Sequence, residues 1–280
     1  MRRIESADNA SFKLAHKLYQ SARERRKLDQ TVLDGVHLLQ EYAASGGKPE
    51  LVLVTAAGRA DPEIATVLAR VPEGRCAELS DALFEELSSL KTPSGIVAVI
   101  DTPRPAPLPR DVECCLMMED IQDPGNVGAM LRSAAAAGVR HVVLSRGCTF
   151  AWAPRVVRAA MGAHFRLHIH EQLDLLPLVA NFDGNTVAAC PRDASPYYDT
   201  PLAGRVAILI GNEGAGLPRH LIETASHRAT IPMAGGVESI NAAAAASVLL
   251  FERVRQRLAA GLPVEARGAR AAADATSKKT

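Results

Sequence analysis

Along the first hundred residues, short apolar runs alternate with longer amphipathic stretches. Residues 11–30 read as one charged helix and residues 31–43 as a second. Leu51-Val-Leu-Val-Thr55 is a short apolar run behind the turn signal Gly46-Gly-Lys-Pro49, which predicts a buried strand. Residues 61–69 predict a helix with Pro62 in its first turn, where the missing N–H does no harm. Ser80 stands at the N-cap position of a helix over residues 81–90. Lys91-Thr-Pro-Ser-Gly95 then turns the chain into a strand over residues 96–100. Together these make a small α/β unit over residues 1–102. The alternating prolines of residues 103–110 favour an extended, semi-rigid linker.

From residue 111 the alternation is regular. Strands are predicted over 113–118, 140–144, 165–169, 186–190, 206–210 and 228–231, and helices over 127–137, 154–161, 173–181, 218–224 and 240–258. Strand–helix alternation of this kind predicts an α/β domain over residues 111–260, with a mostly parallel sheet covered by helices on both faces. Neither a dinucleotide G-x-G-x-x-G nor a G-x-x-x-x-G-K-[ST] loop occurs, so the ordinary nucleotide-binding α/β folds lack their fingerprints. Residues 261–280 are rich in Ala, Arg and Lys, cannot bury enough surface to offset ordering, and read as disordered.

Composition alters this picture little. Hydrophobic residues make up 48% and charged residues 22%, with a formal net charge of +1, so the whole chain is not a generic polyanion binder. The distribution is more telling. Residues 1–30 hold eight Lys/Arg against four acids, a basic arm suited to phosphate contact or simply a solvated helix face. The five cysteines include no C-x-x-C pair, which argues against a disulfide framework or zinc site and for buried thiols. No run approaches the length of a membrane span, and the amino terminus lacks the apolar core of a signal peptide, so a cytoplasmic protein is expected. His168 and His170 would share one strand face, but no third ligand is identifiable and no metal is expected. Phe150 and Trp152 could stack on a base or pack in a core.

Three polar, glycine-bearing loops border apolar stretches in the second unit: Asn126-Val-Gly-Ala-Met-Leu-Arg132, Ile210-Gly-Asn-Glu-Gly-Ala-Gly-Leu-Pro218 and Ile231-Pro-Met-Ala-Gly-Gly-Val-Glu-Ser-Ile-Asn241. Loops on a rigid scaffold are where binding and catalytic groups concentrate. In order and spacing, the three resemble the signature motifs of the SpoU/TrmH branch of the SPOUT methyltransferases. The resemblance implies a SPOUT domain with a deep trefoil knot, S-adenosylmethionine as methyl donor, an RNA ribose 2′-hydroxyl as acceptor and a homodimer. Thr31-Val-Leu-Asp-Gly-Val-His37 and Thr92-Pro-Ser-Gly95 resemble markers of the substrate-binding domain that precedes it in this family. One departure is local: residues 242–246 are all alanine, where the family is usually rich in valine and serine.

Carried onto this chain, the resemblance implies donor binding by Ile210, Gly211, Ile231, Met233 and Ile240, largely through backbone groups, and a catalytic pocket of Asn126, Arg132, Glu213, Ser239 and Asn241. Each has a plainer reading: turn residues for the first set, helix caps for Asn126, Ser239 and Asn241, a loop carboxylate for Glu213. Arg132 on its own is a surface arginine, although Met130, Leu131, Ala134 and Ala135 around it are apolar or small. The resemblance places it beside the target ribose and phosphate. A guanidinium grips phosphate bidentately, and with a pKa above about 12 it is a poor base, so it orients and activates rather than abstracts a proton. The expected activity is methyl transfer to a ribose 2′-hydroxyl of ribosomal RNA, ahead of transfer RNA. A base-methylating SPOUT enzyme and a non-catalytic RNA-binding protein of the same fold are the alternatives.

Overall fold

The structure, a computed structural model, describes residues 1–88 and 94–264. They fall into two compact units, Met1–Arg104 with Phe150–Phe165, and Pro105–Thr149 with Arg166 onward. The first unit opens with β1 (Arg2–Ile4), α1 (Ala10–Gln20) and α2 (Ala22–Leu28). The single helix expected over residues 11–30 is therefore two. Ser21 is extended, ending α1, and its hydroxyl accepts the Glu24 N–H to cap α2. The helix expected over 31–43 is also divided, into β2 (Gln30–Asp34) and α3 (Val36–Ala44), with Gly35 at φ 109° between them. Thr31-Val-Leu is buried on every side, so its apolar run carries no period that separates strand from helix.

The unit continues with β3 (Leu51–Val54), α4 (Ala56–Ala60), α5 (Pro62–Leu68), β4 (Cys76–Leu79), α6 (Asp81–Leu87) and β5 (Ile96–Asp101). Ser80 caps α6 as its position predicts, accepting from the Leu83 N–H. The sheet order is β1-β4-β3-β5-β2, parallel among the first three strands and antiparallel at both pairings of β5. Phe12, Leu18, Leu53, Leu79, Phe84 and Val97 form its core. At the end of β2 the buried Asp34 carboxylate accepts from the hydroxyls of Tyr19, Ser88 and Ser94, bracketing residues 89–93. Residues 89–93, which include Thr92 and Pro93 of the second marker and the last two residues of the predicted 81–90 helix, lie outside the described residues, as do residues 265–280 of the tail.

The second unit contains β6 (Cys114–Met118), α7 (Pro124–Ala136) and β7 (His141–Ser145). The chain then contributes α8 (Pro154–Ala160) to the first unit. It returns with β8 (His168–Leu173), α9 (Leu175–Ala180), β9 (Asn185–Ala189), β10 (Ser195–Pro196), β11 (Val206–Ile210), α10 (Arg219–Thr224), β12 (His227–Thr230) and α11 (Ala242–Ala259). The seven strands lie in the order β10-β12-β9-β11-β6-β7-β8 and every pairing is parallel. β6 and β11, adjacent at the centre, are buried at each position, which accounts for their continuous apolar sequences. All five cysteines are buried free thiols, and burial pushes Cys114 up to about 11.

The allotment of Phe150–Phe165 departs from the sequence reading, which kept α8 within the second unit. α8 packs on β2, and the Thr31 hydroxyl donates to the Trp152 carbonyl at 2.6 Å. Trp152 is 3% exposed and its ring lies 4.7 Å from that of His164, so of its two sequence readings core packing holds. His164 donates from Nε2 to the Ala151 carbonyl at 2.7 Å, while its buried Nδ1 has no partner. Burial pushes this histidine from its ordinary 6.5 down to about 4. The unfolded chain therefore takes up a proton that the folded unit refuses. Stability contributed here is complete above pH 6.5 and lost as pH falls towards 4, up to about 3 kcal/mol. The single tryptophan reports this unit. Its fluorescence-monitored denaturant midpoint should drop between about pH 7 and about pH 5, and drop less in His164→Gln.

Candidate active site

The chain runs outward from β6 to β7 and β8, then crosses back beyond β11 to β9, so the connection direction reverses between β6 and β11. In open α/β sheets, ligand sites form outside the carboxyl ends of the strands at such a reversal. The three glycine-bearing loops follow β6, β11 and β12, and therefore all emerge at this edge.

Their side chains meet there. Asn126 Nδ2 donates to Glu213 Oε1 at 2.7 Å, and Asn241 Nδ2 donates to Asn126 Oδ1 at 2.8 Å. Asn241 Oδ1 accepts from the N–H groups of Ala243 and Ala244, at 2.9 and 3.1 Å, and so caps α11. The direction of this chain is set from both ends. A carboxylate only accepts and helix N–H groups only donate, so both amides have one allowed orientation. Asn126 itself is not the cap of α7. That role belongs to Asp123, whose carboxylate accepts the Asn126 N–H at 2.8 Å, with Pro124 opening the helix. Asn126 thus sits inside the first turn with its side chain free for the other two loops.

The β11 loop is held by its own main chain and by Asn212. Asn212 Nδ2 donates to the Asp120 carbonyl at 2.8 Å, and Oδ1 accepts from Gly214 and Ala215. A Cβ on Gly211 would collide with the main chain of Gly216 and Leu217, so glycine is needed there by the loop's own crossing. Asn212, Asp120 and Asp123 were not singled out from the sequence. Asp123-Pro-Gly is an N-cap followed by proline at the first helical position, and Asn212-Glu-Gly is an Asx-turn signature, so both were readable. Beside the loops, Glu119 follows β6 and its N–H donates to the Ile210 carbonyl; its carboxyl is raised above the usual range, first by burial.

Residues 231–241 carry no regular structure; Ile231 and Met233 are half-buried, Ser239 and Ile240 exposed. Ser239 does not enter the hydrogen-bonded chain. Nor does Arg132, which is exposed on α7 and makes no hydrogen bond or ion pair among the described residues. α7 packs against α11, with Ser133 Oγ and Ser247 Oγ 2.8 Å apart. The alanine run therefore leaves this helix contact one hydroxyl pair, at Ser247 beyond the run. Between β7 and β8, His141 stacks on His168 and His170 at 4.9 and 5.6 Å, and burial pushes His141 down to about 4. Among the described residues no group of His, Cys, Asp and Glu side chains has metal-holding geometry.

The loops bring main chain and apolar side chains to one edge of the sheet. A Cβ added at Gly216, Gly235 or Gly236 would meet nothing within 4 Å, so the backbone there borders open space. Ile231, Met233 and Ile240 supply apolar surface. These groups fit S-adenosylmethionine, whose adenine needs apolar contact and backbone hydrogen bonds.

An all-parallel sheet with three hydrogen-bonded loops at its switch edge agrees with the SPOUT methyltransferase domain that the motifs resemble, and the known proteins that the chain matches place it in that class. The model of the SpoU rRNA methylase family matches residues 113–251, and that of the MRM3-like substrate binding domain matches residues 9–98. The chain is similar to the 23S rRNA (guanosine(2553)-2′-O)-methyltransferase of Bacillus subtilis, 32% identical over 255 residues, covering 90% of this chain and 98% of that one. It is similar in structure to a crystallised RNA 2′-O ribose methyltransferase at a TM-score of 0.78 and 30% identity, covering 91% and 99% of the two chains. The AdoMet-bound rRNA methyltransferase of Sinorhizobium meliloti superposes with a TM-score of 0.79 at 26% identity, covering 91% and 98%. The chain belongs to the SpoU rRNA methylase family. It is a methyltransferase that uses S-adenosylmethionine.

Proposed function

We propose that the loop cluster at the carboxyl ends of β6, β11 and β12 methylates a ribose 2′-hydroxyl of ribosomal RNA. The observation that carries this reading is the hydrogen-bonded chain Glu213–Asn126–Asn241, which joins one residue from each loop. Ile210, Gly211, Ile231, Met233 and Ile240 would hold the donor, which when bound supplies a methyl group already activated as a sulfonium. The protein's own task is then alignment. Glu213 fixes the Asn126 amide, and Asn126 and Asn241 give the acceptor side a rigid polar wall. Arg132 reaches for the ribose and its phosphate, and its charge favours the negative charge that develops on the 2′-oxygen as the hydroxyl proton passes to solvent water. Ser239 stands on the loop between donor and acceptor groups as a further hydroxyl to orient them. Residues 1–102 serve as the RNA-binding part.

The reading includes a cytoplasmic homodimer. In its support, α11 leaves Phe251 48% and Leu258 63% exposed, one heptad apart, as a surface for a second copy. No helix among the described residues is long and apolar enough to cross a membrane. The test is to incubate the purified chain with donor and ribosomal RNA lacking its modifications, then digest to nucleosides. A 2′-O-methylated nucleoside is expected. A base-methylated product, or methylation of transfer RNA alone, would replace this reading with one of its alternatives.

A further inference from the structure

Arg25 is buried in the first unit without a counter-ion. It is 5% exposed; its Nη1 donates to the carbonyls of Leu18 and Tyr19 at 2.5 and 3.1 Å, and its Nε is buried with no partner. No carboxylate pairs with it among the described residues. Its pKa is lowered, first by burial and then by the charge of neighbouring Arg26. Buried charges are ordinarily paired, because desolvation penalises them heavily. Here a second cation sits beside the first. Both guanidiniums lie over the ring of Phe150, Arg26 at 4.7 Å from its centroid and Arg25 at 5.8 Å.

The surroundings add positive charge. Arg23, Arg26 and Lys27 of α2 are exposed, as is Arg155 in the first turn of α8, five residues beyond Phe150. α2 itself holds one acid, the half-buried Glu24 in its first turn, and Asp29 just beyond the helix is already paired with Arg104. The ring face of Phe150 attracts a cation but carries no net charge, so it orients Arg26 without neutralising it. Arg26 is thereby held over an aromatic ring at the surface, 4.7 Å from its centroid, with a second arginine beside it that lacks a counter-ion.

We propose that Arg26, laid on Phe150 and backed by Arg25, is a stacking platform for an unpaired nucleotide of the RNA substrate. The base lies on the outer face of the guanidinium, and the adjoining phosphate supplies the counter-charge the pair lacks. Unpaired bases stack on arginine planes, whereas a duplex hides its base faces. The platform joins a helix of the amino-terminal unit to the Phe150–Phe165 segment, so neither stretch of sequence holds it alone. The inference rests on the RNA-methyltransferase reading above and specifies how that RNA is held.

The test uses the full chain and fluorescently labelled RNA of about 12 nucleotides, unstructured and in the matching duplex, with anisotropy read over a salt series. The parent should prefer the single strand. Arg26→Lys keeps the charge and removes the plane; it should weaken single-strand binding about tenfold with the salt slope unchanged. Arg23→Ala, a plain phosphate contact, should instead flatten the slope by roughly 0.7. Phe150→Leu should match Arg26→Lys, with thermal melting confirming its fold. Arg26 is exposed, so Arg26→Lys decides the matter even if Phe150→Leu fails to fold. Affinity of Arg26→Lys within about twofold of the parent, a tenfold loss being expected for one base stack, would overturn the platform, as would a parent that prefers the duplex. Ribose methylation by the parent is scored separately, and its absence would count against the proposed activity, not against the platform.

Discussion

Asn126→Asp is expected to abolish methylation at neutral pH while donor binding and fold persist. The substitution is nearly isosteric, but it sets a second carboxylate against Glu213 Oε1, where a donor at 2.7 Å stood before. Two carboxylates at that separation cannot both ionise comfortably. At neutral pH they repel and the three-loop chain breaks at its centre. As pH falls the pair binds one proton, which restores a donor between the two residues, so activity relative to the parent should rise with acidity. The loss at neutral pH should be on the order of 10²–10³, the effect of removing one preorganised group from the reacting centre. Asn126→Ala removes the bond without adding charge and should lose activity with no such recovery. Single-turnover methylation over a pH series separates the two. Indistinguishable pH profiles for the aspartate and alanine variants would mean that the directed hydrogen-bond chain is not what aligns the site.

Arg132 gives the second large effect. It is exposed and makes no hydrogen bond or ion pair among the described residues, so neither lysine nor alanine there should shift stability by more than about 0.5 kcal/mol. If its planar fork orients ribose and phosphate, Arg132→Lys should be nearly as slow as Arg132→Ala, roughly 10²–10³ below the parent. A lysine variant retaining much of the rate would reduce the role to nearby positive charge. Donor affinity should survive both changes, because the proposed role of the arginine lies on the acceptor side. A near-normal rate for Arg132→Ala at saturating donor and RNA would return this residue to an ordinary surface arginine.

The second unit was legible because its grammar is local. Its central strands β6, β7 and β11 are built on apolar runs set off by turn residues, and the boundaries of β11 are the same in sequence and structure; the polar β8, expected over residues 165–169, instead runs His168–Leu173, and the two-residue β10 was not expected. The first unit was less so. Thr31-Val-Leu-Asp34 pairs with Val97–Ile100 across more than sixty residues of chain, and no local period reports such a pairing. β1, three residues long, shows itself only through its pairing with β4. Motif resemblance singled out Asn126, Glu213 and Asn241, yet not their connection. That depends on Asp123 taking the capping role, which releases the Asn126 side chain. The home of α8 was hidden for the same reason as β2, since its partners lie more than a hundred residues earlier.

That last feature bears on how such enzymes can diversify. The chain passes between the two units three times, at residues 104–105, 149–150 and 165–166, rather than once at the proline-rich stretch. An amino-terminal unit exchanged as a single cassette at that stretch would arrive without the segment that covers its β2. A working chimera would have to carry two inserts at once, the front hundred residues and the excursion that closes over them. Recombination that respects only the obvious hinge would yield proteins with a missing wall, so the two inserts are bound to a shared inheritance.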